Sequence, residues 1–544
     1  MSEPAYCIGV DFGTESGRAL LLDARTGEEL AVSVVDYPSA VIESELPGTG
    51  ERLGPDWALQ DPDDWVRVLD VGLPDVLARA GVPAELVTGL GVDFTSCTVL
   101  PVTADGEPLC RAERWRGRPH AWPKLWKHHA AQPVADRLNE VADERGEPFL
   151  ERYGGRISSE WYFPKLIEIW LEDREIYDAA DGFIEATDWI VWHMTGRECR
   201  QSCAAGYKAM WSADEGLPPV AYFEAAYPGF DHPGEKLGTM FAPLGTRAGT
   251  LRSELADRLG LGRDVAVAVG NVDSFASVPG AGVERPGVFV MAIGTSICDM
   301  VVAADEVRLP GVTGVVRDGI LPGRFGYEAG QTAVGDMLAW FVRTLGDGTQ
   351  FDTLERDAAE LAPGETGLVA LDWFNGNRSI LADADLSGAI LGLTLRTRPA
   401  EIYRALLESI AFGNRRIMDN FTEYGIALEQ IVACGGIAEK SPLTMQLIAD
   451  ISGRPVHVPD SELIPARGAA LFGAVAAGVY SSIDEAIAAT RPVDAHVYEP
   501  RAEATEVYDR VYPVYRRLYE ILGQSEMRLL HTLKHIRTGT EERP

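Results

Sequence analysis

Basic residues are scarce in this chain: 49 Lys and Arg stand against 82 Asp and Glu, a formal charge of −33. A protein that grips a nucleic-acid backbone needs basic faces, so that class is excluded. A small anionic ligand is not excluded, because a few local donors can hold one; the surplus of acid bears on solubility. Cysteine is also thin, with seven scattered residues of which Cys199 and Cys203 are the nearest pair. An odd, dispersed set offers neither a disulfide framework nor metal spacing, and the chain reads as a reduced cytoplasmic enzyme. Long hydrophobic runs are missing as well. The longest small-apolar stretch, Ala469 to Tyr480, is too short to span a bilayer. The N-terminus enters an apolar run almost at once, with no basic or hydrophobic leader. No membrane partner is expected.

What is present is enough apolar residue, 46% of 544, for two large domains or more. The most informative stretch is residues 7–23. An apolar run from Cys7 to Val10 delivers Asp11 into a turn holding Gly13, Thr14, Glu15, Ser16 and Gly17, and a second apolar run leaves from Ala19 to Leu22. Turn chemistry makes this a β-hairpin with a glycine and hydroxyl tip. Such a tip lets backbone N–H groups approach phosphate oxygens, and a carboxylate on its shoulder suits a hydrated Mg²⁺. An ordinary hairpin with an acidic shoulder fits equally well on this stretch alone. Residues 288–303 supply a second copy, with Gly294, Thr295 and Ser296 at the tip and Ala292 where the first copy has Asp11. Two such hairpins suggest a duplicated domain with nucleotide between the halves, the metal belonging to the first.

Between and beyond the hairpins the pattern is α/β. Residues 28–60 look irregular or extended, and Asp61-Pro62-Asp63-Asp64 starts a helix whose stripe is Trp65, Leu69, Leu73, Val76 and Leu77, ending near Gly81. A strand over Val87–Phe94 ends in Gly-Val-Asp-Phe, the same tetrapeptide as Gly9–Phe12. Residues 110–235, rich in Trp, Tyr, His and Arg, look like an insertion that builds a sugar pocket, with helices around Ala121–His129 and Phe163–Leu171. His128 and His129 sit in no metal spacing, and His531 and His535 read as solvated helix residues. The strand Val265–Val269 leads through Gly270-Asn271-Val272-Asp273 into a helix capped by Asp273 or Ser274, and spacing alone favours a cap over a functional role for Asp273. In the second half a long helix covers Glu401–Phe421, and the strand Ile431–Cys434 enters Gly435-Gly436, with Lys440-Ser441-Pro442 opening another helix. This is no Walker loop, since Glu439 precedes the Lys; the glycine pair suits a base or phosphate lying on backbone. A strand over Pro455–Val458, a small-residue helix over Arg467–Gly478 and a core stripe of Tyr508, Tyr512, Tyr515 and Tyr519 complete the chain, with fraying expected after Arg537.

Taken together, these segments resemble the FGGY carbohydrate kinases from about residue 6 to residue 520. The resemblance rests on Gly9–Arg18, Gly91–Thr98, Gly270–Asp273, Ala292–Cys298 and Gly435–Pro442 for the family at large. Residues 124–132, 154–161 and 372–378 point to the branch that phosphorylates L-ribulose, and 186–191 and 205–209 belong to the same set. It implies an α/β fold of two actin-like (ribonuclease-H-like) domains, mixed sheet plus helices, with a nucleotide and sugar cleft between them. The division expected is 1–283, carrying the sugar, Mg²⁺ and phosphate side with the insertion, and 284–544, carrying the adenosine side. ATP and Mg²⁺ are the implied cofactors and a ketopentose the implied partner; oligomeric state is left open, a homodimer among the options.

The resemblance also assigns roles residue by residue. Asp273 becomes the catalytic base, displacing the cap reading, and Asp11 holds Mg²⁺ through water. Gly13, Thr14 and Glu15, with Gly294, Thr295 and Ser296, face the phosphates; Gly435, Gly436 and Lys440 lie by the adenosine. Ser96, Trp126, Lys208, Asp273 and Glu328 contact the sugar. Ser96 stands where the family often carries Ala, and Pro123 and Ser274–Phe275 also depart from the commoner residues. The implied reaction moves the γ-phosphoryl of ATP to the 5-hydroxyl of L-ribulose. Another ketose or pentitol kinase of the family, or a non-kinase ATPase on the actin-like fold, are the competing readings.

Overall fold

The computed structural model describes residues 4–238, 240–345, 349–461 and 463–538. The expected tail beyond residue 538 lies outside them.

The first hairpin forms as its alternation dictates. Strands β1 (Tyr6–Phe12), β2 (Ser16–Asp23) and β3 (Glu29–Asp36) run as an antiparallel meander. Strand β3 takes the extended alternative of the 28–60 reading. β4 (Val87–Phe94) then adds parallel to β1. A two-stranded pair, β5 (Val99–Val102) with β6 (Gly182–Glu185), belongs to the insertion. β7 (Arg247–Thr250), β8 (Ala266–Ala268) and β9 (Asn271–Val272) finish the first sheet, in the order β3-β2-β1-β4-β8-β7 with β9 also on β4.

The second half repeats this plan. β10 (Val288–Ile293) and β11 (Ile297–Ala303) form the second hairpin; β12 (Gly314–Arg317) and β13 (Phe325–Gln331) follow, with a small pair β14 (Val369–Leu371) and β15 (Ala389–Leu391) set apart. β16 (Gln430–Cys434) and β17 (Val456–Pro459) add in parallel and β18 (Asp494–Tyr498) closes the order β12-β13-β11-β10-β16-β17-β18. Stripped of additions, β3-β2-β1-β4-β8 and β13-β11-β10-β16-β17 have the same directions: three antiparallel strands, then two parallel. This is the duplicated actin-like architecture.

One helix ties the halves together. Ile464–Ala476, from the second half, packs across β1 and β4 of the first sheet and along the helix Asp273–Gly280. Glycine makes the approach close enough. A Cβ at Gly9 would overlap the Ala466 carbonyl, one at Gly91 the Ala469 carbonyl and one at Gly468 the Ala276 carbonyl. Side chains alternate along a strand, so Asp11 and Asp93 share the face of Gly9 and Gly91. The repeated Gly-Val-Asp-Phe therefore does two jobs: its glycine admits the helix, and its aspartate borders the space between the halves.

Three local expectations are corrected. No helix covers Ala121–His129: Pro119–Ala121 is a 3₁₀ turn, and the chain then runs extended, with Lys124 bridged to Leu59 and Val99. Pro123 is the cause, because it holds Trp122 in extended backbone (φ −95°, ψ 153°) and the helix starts only at Gln132. His531 is buried rather than solvated, its Nε2 2.7 Å from Asp383 Oδ2, because the final helix docks on the 377–385 loop. Asp273 is not a cap either. Val272 holds that position and Asp273 is the first helical residue. By contrast the helix from Pro62 starts on the Asp61 cap and, through a π turn, ends at a left-handed Gly81 as its composition requires. The tyrosine stripe of Ala502–Tyr519 is buried as core.

Candidate active site

The ends of β1 and β4 and the start of the helix Asp273–Gly280 meet on the inner face of the first sheet. Asp11 and Asp93 are register partners on β1 and β4, and Asp93 is opposite Asn271, two residues before Asp273. Asp11 Oδ2 accepts from Arg18 Nη1 at 3.0 Å. Asp93 is wholly buried, and neither carboxylate oxygen has a hydrogen-bond partner. Burial first, then the Asp11 and Asp273 charges, hold its carboxyl well above the usual carboxylate range. Asp273 accepts from the Ser274 N–H at 2.6 Å, yet burial and the Asp11 charge push its pKa up to about 7. Three carboxyl groups crowded against one guanidinium form a site short of positive charge. Among the described residues no group of three or more such side chains is arranged to ligate a metal directly, so a divalent cation fits here only as a hydrated ion beside Asp11.

The two hairpin tips are built alike. In each a glycine N–H closes the turn, over four residues in the first tip, where Gly13 N donates to Ser16 O at 3.0 Å, and three in the second, where Gly294 N donates to Ser296 O at 2.9 Å. Thr14, Glu15, Gly294, Thr295 and Ser296 retain solvent exposure in these tips. Gly435 has φ +93°, and a Cβ there would press on the Ile293 carbonyl, so the Gly-Gly turn lies directly against the root of the second tip. Gly436 is exposed at the start of the helix Gly436–Lys440, with open space above its Cα. Lys440 is exposed at the far end of that helix, a turn away from the glycines.

Of the residues expected on the sugar side, Lys208 and Glu328 meet from the two halves. Lys208, at the end of the helix Ser202–Lys208, donates from Nζ to Glu328 Oε2 on β13 at 2.8 Å. Burial lowers the Lys208 pKa but Glu328 outweighs it, so the ammonium is held above its ordinary range. Both charges lie close enough to Asp273 to act on it. Trp126 Nε1 donates to Thr14 Oγ1 at 3.2 Å, which joins the aromatic insertion to the first hairpin tip. That hydroxyl, expected to serve phosphate alone, keeps its own O–H free to donate. Ser96 follows β4 beside Asp93, and its buried hydroxyl has no partner.

Asp93 has no role in the sequence reading, although it stands in the same tetrapeptide repeat that holds Asp11 and its carboxyl lies close enough to Asp11 and Asp273 to feel their charges. Arg378, at the end of the 372–378 segment, has no local signal for a role, yet the charges of Glu160 and Glu328 act on its guanidinium. The buried trio Lys124, His128 and Glu168 could not be paired from sequence. Glu168 Oε2 accepts from Lys124 Nζ at 2.9 Å and lies 3.0 Å from His128 Nε2.

Family models match both halves: the N-terminal domain of the FGGY family of carbohydrate kinases at residues 6–280 and its C-terminal domain at 289–477. The chain belongs to the FGGY carbohydrate kinases. It is 50% identical to a ribulokinase of Anoxybacillus flavithermus, with 97% of each chain covered, and 49% identical to one of Geobacillus thermodenitrificans, again over 97% of each. Among solved structures it resembles a xylulose kinase from Rhodospirillum rubrum, with TM-score 0.79, 24% identity and coverage of 97% of this chain and 100% of that one. It also resembles a Plasmodium falciparum glycerol kinase with ADP, with TM-score 0.78, 15% identity and coverage of 96% and 100%. Those two likenesses speak for the fold, the sequence relatives for the family. The protein is thus a kinase, a phosphotransferase that uses ATP. Among the described residues no helix is long and apolar enough to cross a membrane.

Proposed function

We propose that this kinase transfers the γ-phosphoryl group of ATP to the 5-hydroxyl of L-ribulose. The observation that carries the reading is near full-length similarity, at 50% identity, to a protein named ribulokinase. The geometry supports it: the buried Lys208–Glu328 pair lies close enough to Asp273 to act on its charge, and the Trp126 indole of the insertion meets the first hairpin tip, polar and aromatic groups of the kind a polyhydroxy substrate requires.

Phosphoryl transfer passes through a loose transition state, so alignment and charge neutralisation supply most of the rate. Asp273 would orient the 5-hydroxyl and take its proton as the bond to phosphorus forms. A carboxyl pushed up to about 7 is a better proton acceptor than an ordinary one near 4. Lys208 and Glu328 would hold sugar hydroxyls, with Trp126 and Ser96 forming the wall. The Thr14 hydroxyl and the backbone N–H groups of Thr14, Glu15, Thr295 and Ser296 would donate to phosphate oxygens, while the Gly13 and Gly294 N–H groups close the two turns. Gly435 and Gly436 would carry the adenosine, with Lys440 at its edge. Asp11 would hold Mg²⁺ through water, and the ion would offset charge on the β- and γ-phosphates. Closure of the halves would exclude water from the transfer.

A coupled ADP assay over the four 2-ketopentoses and the common pentitols tests the assignment. L-Ribulose is expected to give the highest kcat/KM. A different ketose or a pentitol preferred by tenfold or more would overturn it.

A further inference from the structure

A fully buried ammonium lies behind the sugar pocket. Lys165 has no exposed surface and sits among the buried Tyr162, Phe163, Leu166, Ile167, Glu168 and Ile169 of the helix Tyr162–Glu172. A charge in that setting is costly unless fully hydrogen-bonded. Its Nζ donates to the Cys97 carbonyl at 2.6 Å and to the Leu125 carbonyl at 2.9 Å. Cys97 directly follows Ser96, and Leu125 directly precedes Trp126.

The two segments already touch at one place. Val99 N donates to Lys124 O at 3.1 Å and Lys124 N to Val99 O at 2.8 Å. Beyond that bridge, toward Ser96 and Trp126, the Lys165 ammonium takes over. Cys97 has φ +56°, a left-handed conformation that a non-glycine residue keeps only when its surroundings impose it. A donor fixed on the Cys97 carbonyl is such an imposition. Trp126 is in turn bonded to Thr14 at the first hairpin tip. Burial lowers the Lys165 pKa, and the charges of Glu185, Glu160 and Glu168 oppose that shift without cancelling it.

We propose that Lys165 is a positioning residue for the sugar pocket: by bridging the Cys97 and Leu125 carbonyls it sets the separation of Ser96 and Trp126, and so which ketose fits. This rests on the reading that Ser96 and Trp126 line the pocket. Lys165 touches no reacting atom. Its effect falls on the affinity and selectivity for sugar, through backbone.

The test uses the full-length enzyme with whichever ketose the wild type prefers. Lys165→Met keeps the stem and removes the donor. It should raise the KM for ketose at least tenfold, change the KM for ATP less than twofold, and narrow discrimination among the ketopentoses. Calorimetric titration of ketose without ATP should show the same loss of affinity. Lys165→Ala lacks three carbons and the ammonium, so n-propylammonium should restore its ketose KM where 1-propanol, of the same size but uncharged, does not. An unchanged ketose KM in a folded Lys165→Met would overturn the proposal. So would parallel losses in both KM values, kcat and urea midpoint without amine rescue, the signature of a merely structural lysine. Trp126→Ala separates the two layers. If it leaves the ketose KM unchanged, the pocket reading itself has failed, whatever Lys165 does.

Discussion

Removing one charge from the Lys208–Glu328 pair tests the sugar pocket most directly. Lys208 comes from the first half and Glu328 from the second; Nζ and Oε2 are 2.8 Å apart, and the side chains are 7% and 9% exposed. Solvent screening is small at that burial. Stripping one partner from a buried pair costs about 3–5 kcal/mol, because the remaining charge is left uncompensated. Lys208→Met keeps the stem and removes the ammonium. If the cost falls on the sugar-bound closed state, kcat/KM for ketose drops by roughly two to three and a half decades, at about 1.4 kcal/mol per decade. If it falls on the folded protein, the urea midpoint drops instead. Adding Glu328→Gln distinguishes the two. The double variant buries no lone charge, so its midpoint should return close to wild type. Its kcat/KM should stay low, because both charged sugar contacts are gone. A coupled ADP assay at saturating ATP and a urea titration provide the two readouts. A double variant that regains full kcat/KM along with its midpoint would refute the sugar role of both residues.

Three further outcomes are expected. Asp273→Asn should lower kcat by about 10²–10⁴ while calorimetry still shows ketose binding; turnover within tenfold of wild type would remove Asp273 as base. His128, wholly buried, has its pKa lowered to about 3 by burial and by the Lys124 charge. Its unfolded form titrates near 6.5, so the neutral ring's stability is fully present above that pH and is lost as pH falls toward 3, by at most about 1.4 kcal/mol per unit. Urea midpoints of wild type and His128→Gln across that window should converge as pH falls, and parallel curves would count against a neutral buried imidazole. Gly468→Ala places a methyl on the Ala276 carbonyl and should cost about 1–3 kcal/mol; an unchanged thermal midpoint would mean the helix pair gives way freely.

Elements that declare themselves locally could be read from the chain. Both hairpins carry their own turn residues, the helix from Pro62 its own Asp cap and Gly stop, and the tyrosine stripe its own period. The duplication was visible because each half repeats a local motif. Where a local signal was outvoted, the outcome followed a longer-range cause: Pro123 prevented the helix expected over 121–129, and docking on the 377–385 loop buried His531. Asp273 reads as a cap until strand register brings Asp11 and Asp93 toward it.

The amino-acid order by itself determined the two α/β halves, the glycine-tipped hairpins and the candidate residues, since each depends on neighbours within a few positions. Tertiary structure alone decided which charges meet. Lys208 finds Glu328, Lys124 finds Glu168, and Lys165 reaches the carbonyls of Cys97 and Leu125 across gaps in sequence that carry no periodic signal. A buried charge must be paired or hydrogen-bonded, but nothing in its own segment says with what; only the packed chain supplies the partner.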